Sequence, residues 1–202
     1  DSFEATFNRD TSDPEHYGQP TDFNADLTVT EEPGAAPEDV KLEVNKPLNV
    51  DGTKVYLVGN GYAPVLRVKD GEGNVAYEGP VVTVPSDSVY TSSLTLKVPD
   101  AAPDQLGFVG LLLPTAVSQD GQIPQSVDPA LNNPALLLSS FSGDLGLDSG
   151  QPQNVYVLDT QNLEELNSMS SPNGPIVLDG QHRTATLPEG KGSVEFVDVK
   201  RY

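Results

Sequence analysis

Apolar residues in this chain come in short runs, and in most runs they occupy every second position. Phe3, Ala5 and Phe7 alternate in this way, and so do Leu27 and Val29. A period of two residues is typical of a β-strand with one buried face. The 18 glycines and 18 prolines separate the runs and favour turns between them. The sequence therefore predicts an all-β fold, an antiparallel β-sandwich or barrel-like domain that occupies residues 1–202 as a single domain.

The same pattern gives the positions of the strands. Residues 106–113 form a continuous apolar run, which indicates a strand buried on both faces. The segments 59–61 and 70–74 carry glycine between β-patterned runs, so each is predicted to join two adjacent antiparallel strands. We predict strands at residues 3–7, 23–29, 40–44, 54–58, 65–69, 75–77, 81–84, 94–98, 106–113, 135–141, 154–158, 176–178, 183–187 and 194–199.

One or two short helices are expected within this β framework. The best candidate is residues 159–168, because Leu163 and Leu166 would lie on one side of a helix. Asp128 followed by Pro129 favours a single helical turn, since aspartate suits the N-cap and proline the first helical position.

The charge of the chain excludes several classes of partner. It has 30 acidic residues against 11 lysines and arginines, a net charge of -19. Without a basic surface, binding to nucleic acid or to an anionic lipid surface is disfavoured. Between Lys97 and Arg183 there is no lysine or arginine. Two interpretations stay open: these acids keep the protein soluble, or they attract a cationic partner.

Catalytic and metal-binding patterns are scarce. The absence of cysteine removes disulfides, thiolate metal sites and cysteine nucleophiles. His16 and His182 are the only histidines, and neither belongs to a recognisable hydrolase motif. Asp13 and Glu15 beside His16 make a weak metal pattern. We therefore predict no catalytic and no metal-binding residues, and the sequence identifies no cofactor-binding residue.

Two glycine-rich loops contain carboxylates. Residues 70–74 resemble the start of a calcium loop, but Val75 and Val81 stand where such a loop needs glycine and glutamate. A hairpin turn accounts for the same residues. For residues 143–150, we expect a tight turn whose aspartates bond to the local backbone.

Five blocks of sequence, in order from residue 18 to residue 202, resemble one known family. They are GQPTDF and ADLTV (18–23 and 25–29); VNKPL, VYL and GNGYAP (44–48, 55–57 and 59–64); LGF and PT (106–108 and 114–115); GDLGLDSGQP and VY (143–152 and 155–156); and LP, GSVEF and VKRY (187–188, 192–196 and 199–202). This series is similar to the large extracytoplasmic domain of the ResB family of system II cytochrome c biogenesis, and most like its actinobacterial branch.

The resemblance implies a function. ResB-like proteins span the bacterial cytoplasmic membrane several times, and their large domain lies on the extracytoplasmic face. They act with a ResC-like (CcsA-like) membrane subunit that handles haem, and together they attach haem covalently to apocytochrome c. For residues 1–202 the resemblance implies a domain excised from such a membrane protein, with a scaffolding and chaperoning role. The family's haem-ligating histidines belong to membrane helices and to loops of the partner and do not map onto His16 or His182, so no catalytic residue is carried over. The isolated domain is expected to hold no cofactor, and haem is handled by the complex.

Two alternatives remain at this stage. The chain is a secreted acidic β-sandwich that binds peptide or carbohydrate, or it is a hydrolase that uses one of its two histidines. A hydrolase would need His16 or His182 beside a serine and a carboxylate in a cleft.

Overall fold

The computed structural model describes residues 2–30, 34–57, 60–118, 122–147 and 153–202. The chain divides into two compact units, Asp1–Gly61 with Arg201–Tyr202 and Tyr62–Lys200. The strands are β1 Ser2–Phe7, β2 Pro20–Val29, β3 Glu38–Glu43, β4 Leu48–Val50, β5 Thr53–Val55, β6 Tyr62–Lys69, β7 Val75–Pro80, β8 Thr83–Pro85, β9 Ser92–Val98, β10 Leu106–Leu113, β11 Ala116–Val117, β12 Gln125–Ser126, β13 Ala135–Ser142, β14 Glu164–Asn167, β15 Ile176–Leu178, β16 Thr184–Thr186 and β17 Ser193–Arg201.

The first unit contains a three-stranded antiparallel sheet in the order β1-β2-β3 and a separate hairpin of β4 and β5. The β4–β5 turn consists of Asp51 and Gly52, both with positive φ, at +46° and +78°. Two such residues between paired strands form the turn type whose twist matches that of a hairpin. Ala25 and Leu42, opposite each other on β2 and β3, are the buried apolar side chains of this sheet among the described residues.

The second unit contains the larger core. Its six-stranded sheet has the order β14-β13-β10-β9-β8, with β15 also paired to β13. A four-stranded sheet has the order β16-β17-β6-β7, and β11 pairs with β12. The central strands β10 and β13 are buried along most of their length, as expected for the apolar run 106–113. The largest side chains with almost no exposure are Tyr62, Phe108, Leu66, Leu106, Leu112, Leu113, Leu136, Leu138, Leu178, Leu187, Val68 and Val98.

The all-β prediction is confirmed: the sheets are antiparallel and none of them closes into a barrel within the described residues. Most of the predicted strands are present, and the 70–74 loop joins β6 to β7 as a hairpin. The expectation that residues 1–202 form a single domain is not tested by this division into two compact units, and it stays a prediction.

The predicted helix at residues 159–168 is wrong. Glu164–Asn167 is strand β14, which pairs with the end of β13 through Ser142↔Glu164 and Ser140↔Asn167. Strand pairing with a distant segment therefore overrides the helical spacing of Leu163 and Leu166. No helical turn begins at Asp128 either, and the described residues contain no α-helix. A 3₁₀ turn is present at Pro188–Gly190.

Two further predictions need correction. Residues 154–158 do not form a strand; they run as an irregular segment with one turn. The 59–61 turn does not join adjacent strands, because β5 pairs with β4 whereas β6 pairs with β7 and β17. Gly59 itself lies outside the described residues. Within the part of the chain that the structure describes, no helix has the length and apolar character needed to cross a membrane.

Candidate functional site

The two histidines lie on exposed turns. His16 Nδ1 is 2.8 Å from Asp13 Oδ2, and His182 Nδ1 is 3.4 Å from Asp179 Oδ1. The hydrogen bond with His16 holds the pKa of Asp13 below its usual value, and the backbone N–H of His182 does the same for Asp179. Glu15 contributes a backbone carbonyl to this turn, which accepts a hydrogen bond from the Gln19 side chain. The described residues contain no cluster of three or more potential metal ligands.

The 70–74 loop is built around a buried carboxylate. Asp70 Oδ1 accepts hydrogen bonds from the backbone N–H groups of Glu72 (3.0 Å) and Asn74 (2.9 Å). Asp70 Oδ2 accepts another from Ala102 N at 3.3 Å. Burial alone would raise the pKa of Asp70, but the N–H donors outweigh burial and lower it. Both oxygens are engaged by backbone groups, so the hairpin explains this carboxylate without a calcium ion.

The second glycine-rich loop follows the expectation where it is described. Gly146 N donates to Asp144 Oδ1 at 2.7 Å, the local side-chain-to-backbone bond of a tight turn. Asp148, Ser149 and Gly150 lie outside the described residues.

An apolar groove of about 480 Å³ opens on the surface of the second unit. We call it the β9 groove because the second half of β9 forms one of its sides. Its lining residues come from the end of β7 and the segment after it, from β9, and from an irregular segment near residue 155. They are Tyr77, Pro80, Val81, Val82, Thr95, Leu96, Lys97, Val155 and Tyr156.

The groove exists because β8 begins only at Thr83 and therefore does not cover the second half of β9. β8 pairs only with the first half of β9, from Thr83↔Leu94 to Pro85↔Ser92. On its other side β9 pairs with β10 along its whole length. The chain before β8 turns away toward β6, where Val81 N donates to Pro64 O (2.8 Å) and Thr83 Oγ1 donates to Tyr62 O (2.6 Å). Residues 95–98 of β9 therefore have no strand beside them on the groove side among the described pairings.

A short segment, Gln153 to Val157, lies against the outer face of β9; we call it the strap. Thr95 Oγ1 donates to Tyr156 O at 2.9 Å, and Lys97 Nζ donates to Gln153 Oε1 (3.0 Å) and Asn154 O (3.1 Å). The next residue, Leu158, is buried with Phe141 and Leu145 and fixes the end of the strap.

Leu158 has room because Gly107 on β10 has no side chain. A Cβ at Gly107 would come 2.7 Å from Leu158 Cδ2. A glycine at position 107 therefore leaves the space in which Leu158, the residue after the strap, is buried.

The strap exposes three apolar side chains in succession. Val155, Tyr156 and Val157 are 69%, 57% and 55% exposed. Val82, beside them in the groove, is also exposed. Contiguous exposed apolar side chains are a feature of surfaces that bind another molecule.

The β7 wall of the groove is tied to β6 and β17 by ion pairs. Arg67 on β6 binds Glu78 on β7 with two hydrogen bonds, Nε to Oε2 (2.9 Å) and Nη2 to Oε1 (3.0 Å), and its Nη1 binds Glu195 Oε2 at 2.7 Å. These two carboxylates raise the pKa of Arg67, and the guanidinium lowers that of Glu78. Tyr77 is held by a hydrogen bond from its hydroxyl to Pro80 O at 3.0 Å.

Sequence reasoning did not identify this groove. The sequence predicts strands at residues 75–77, 81–84 and 94–98, but no sequence pattern indicates that β8 begins only at Thr83. The one usable signal is the continuous apolar run of residues 155–158 without alternation, in an otherwise polar stretch.

Comparison with known proteins gives one match. A family model described as the ResB-like family matches residues 1–202. No match is found among curated proteins or among solved structures.

Proposed function

This chain belongs to the ResB-like family, and from that membership we propose that it works in system II cytochrome c biogenesis as the extracytoplasmic domain of a ResB-like protein. Its role is to scaffold and chaperone apocytochrome c, together with a ResC-like (CcsA-like) membrane subunit, while haem is attached covalently. The match over residues 1–202 is the observation that carries the proposal. The family is membrane-associated. The proposed location is the extracytoplasmic face of the bacterial cytoplasmic membrane, with anchoring through helices outside residues 1–202.

Within this function the chain is a non-catalytic partner, and haem is cargo handled by the complex. Its histidines are poorly placed to hold haem, because the side chains of His16 and His182 are both largely exposed to solvent. Met169, the only methionine, is 60% exposed. A protein controls a bound haem through its axial ligand and through the polarity and access of the pocket around the iron. We therefore propose that the isolated chain does not hold haem.

The absence of cysteine supports the chaperoning role. Thioether formation needs a reduced Cys-x-x-Cys-His segment, and a protein without cysteine cannot form mixed disulfides with it. A β protein can hold such a segment extended, in a groove or along a strand edge.

The test measures the binding of partners and the formation of thioether bonds in separate experiments. The 202-residue chain should bind reduced apocytochrome c and the detergent-solubilised ResC-like subunit, each by calorimetry. Incubated with haem and apocytochrome c, it should form no more thioether product than a sample without protein, as read from the absorbance of the alkaline pyridine complex.

Holocytochrome c, whose Cys-x-x-Cys-His segment already carries haem, is the matched control and should not bind. Equal binding of the holo and apo forms, or no binding to either the apo form or the ResC-like subunit, would contradict the scaffolding role. Thioether formation by the chain alone would show that it is catalytic.

A further inference from the structure

The free side of β9 is a place where another strand can pair. In an antiparallel sheet, the N–H and C=O groups of successive residues point alternately to the two neighbouring strands. Within residues 95–98, half of these groups point away from β10, and β8 does not reach them. Among the described residues, no backbone group outside the sheet bonds to Thr95, Leu96 or Lys97. Unpaired backbone groups on a strand edge favour pairing with another chain.

The lining of the groove suits an added strand whose apolar side chains occupy every second position. An added strand would place every second side chain toward the apolar lining of Val82, Val155 and Tyr156. A volume of about 480 Å³ lies within the range of sites that hold a small ligand or a few peptide side chains. The groove therefore fits an extended segment with apolar residues at alternate positions.

Charge specifies one more feature of the occupant. Lys97 lines the groove and forms no ion pair among the described residues, although acids outnumber lysines and arginines almost threefold in the chain. Its Nζ donates to two uncharged oxygens, of Gln153 and Asn154. An ammonium group has three N–H donors, so one remains for an incoming group. A carboxylate is the complement of this cation in charge and in hydrogen bonding.

We propose that the β9 groove binds an extended polypeptide segment that pairs as a strand with residues 95–98 and places a carboxylate on Lys97 Nζ. This inference rests on the proposed function, because the segment would belong to a protein that the biogenesis complex handles. Beyond that function, it specifies where on this chain the segment binds and which side chains the segment carries.

The probe is a blocked peptide of about ten residues in which valine and threonine alternate and one central residue is glutamate. It is titrated into the isotope-labelled 202-residue chain and followed by the backbone amide signals. We expect the signals of Thr95, Leu96, Lys97 and the strap to shift together. The same peptide with proline at alternate positions cannot donate N–H groups to the edge and should not bind.

A second peptide, with glutamine in place of the glutamate, isolates the charge. It should bind about 2- to 5-fold more weakly, the size of one partly exposed ion pair. Lys97→Met should remove that difference and Lys97→Arg should keep it. Lys69→Met is the control, because Lys69 is an exposed lysine of the same unit that does not line the groove.

Shifts confined to other strand edges, binding of the proline peptide, or equal affinities of the glutamate and glutamine peptides would each overturn the proposal. The two proposals fail separately. Apocytochrome c that binds without shifting the amides of residues 95–98 contradicts the groove alone. Peptide binding in the groove by a chain that binds neither apocytochrome c nor the ResC-like subunit contradicts the proposed function alone.

Discussion

Single residues in this protein matter most where the backbone leaves no room or where a buried group needs partners. Gly110 on β10 and Gly107, three residues before it, face close neighbours on β13 and in the segment after the strap. Asp70 is 4% exposed and is held by backbone N–H groups from two loops. The two glycines are explained by atoms far away in the sequence, whereas Asp70 is held both by its own turn and by Ala102. Two predictions follow from the geometry at Gly110 and Asp70.

Gly110→Ala should lower the free energy of unfolding by about 3 kcal/mol, because a Cβ there would overlap the carbonyl oxygen of Leu137 on the paired strand. Urea denaturation measures the change. Gly180→Ala is the control: nothing lies within 4 Å of a Cβ at Gly180, and a change below about 0.5 kcal/mol is expected. Equal effects of the two substitutions would contradict the close approach of β10 and β13.

Asp70→Asn should destabilise the chain in a pH-dependent way. Because folding lowers the pKa of Asp70, its contribution to stability is present above its unfolded pKa of about 4 and is lost as the pH falls through the folded value. The difference in unfolding free energy between wild type and variant should therefore be largest near neutral pH and shrink below about pH 4. A difference that stays constant with pH would mean that the N–H groups do not favour the carboxylate form.

At the scale of elements, the strands differ widely in how well they are protected. β10 and β13 lie inside the six-stranded sheet, and Leu112, Leu136 and Leu138 on them have no exposed surface. The β4–β5 hairpin has only two strands, and every residue of β5 is exposed. A two-stranded hairpin is marginally stable by itself, whereas a central strand opens only when its whole sheet does.

Amide hydrogen exchange should be slowest in the central strands β10 and β13 and fastest in the β4–β5 hairpin. After correction for intrinsic rates, amides paired between β10 and β13 should exchange at least ~1000-fold more slowly than those of β4 and β5. The edge residues 95–98 provide an internal comparison, since amides that point toward β10 should be protected and those that point into the groove should not. Uniform protection along β9 would contradict the open edge.

At the scale of the whole molecule, the main feature is the large excess of acidic side chains over basic ones. A net charge of -19 on 202 residues makes the acids repel one another in the compact state. Some carboxylates are paired, as Asp104 is with Lys191 at 2.7 Å and Glu78 with Arg67. The 30 acids cannot all find partners among 11 basic residues.

Salt should therefore stabilise the protein at neutral pH. Raising sodium chloride from about 0.1 M to about 1 M shortens the screening length from roughly 10 Å to 3 Å and weakens this repulsion. The midpoint of thermal unfolding should rise with salt. A variant in which the exposed Glu38 and Asp100 are both replaced by lysine should be more stable at low salt and show a smaller rise. If the two proteins respond equally to salt, repulsion does not limit stability.

Much of the fold could be predicted from local pattern. The alternation of Phe3, Ala5 and Phe7 and the continuous run 106–113 both became strands, because side-chain period is a property of the backbone itself. The Asp70 hairpin was predictable for the same reason: its turn residues act on their own neighbours. The division into open sheets was not predictable, since nothing local says which strands become partners.

Two segments near the groove have a local pattern that predicts the wrong structure. Residues 159–168 satisfied a helical spacing, yet pairing with β13 made a strand of Glu164–Asn167. The pattern of residues 154–158 predicts a strand, but hydrogen bonds from Thr95 and Lys97 hold the irregular strap at Tyr156 and Asn154. Local sequence thus determined the class of structure, the turns and the charge. Contacts with the distant strand β6 decided that β8 begins only at Thr83 and leaves the edge of β9 open. Backbone hydrogen bonds in a sheet are made between segments that the sequence does not place side by side.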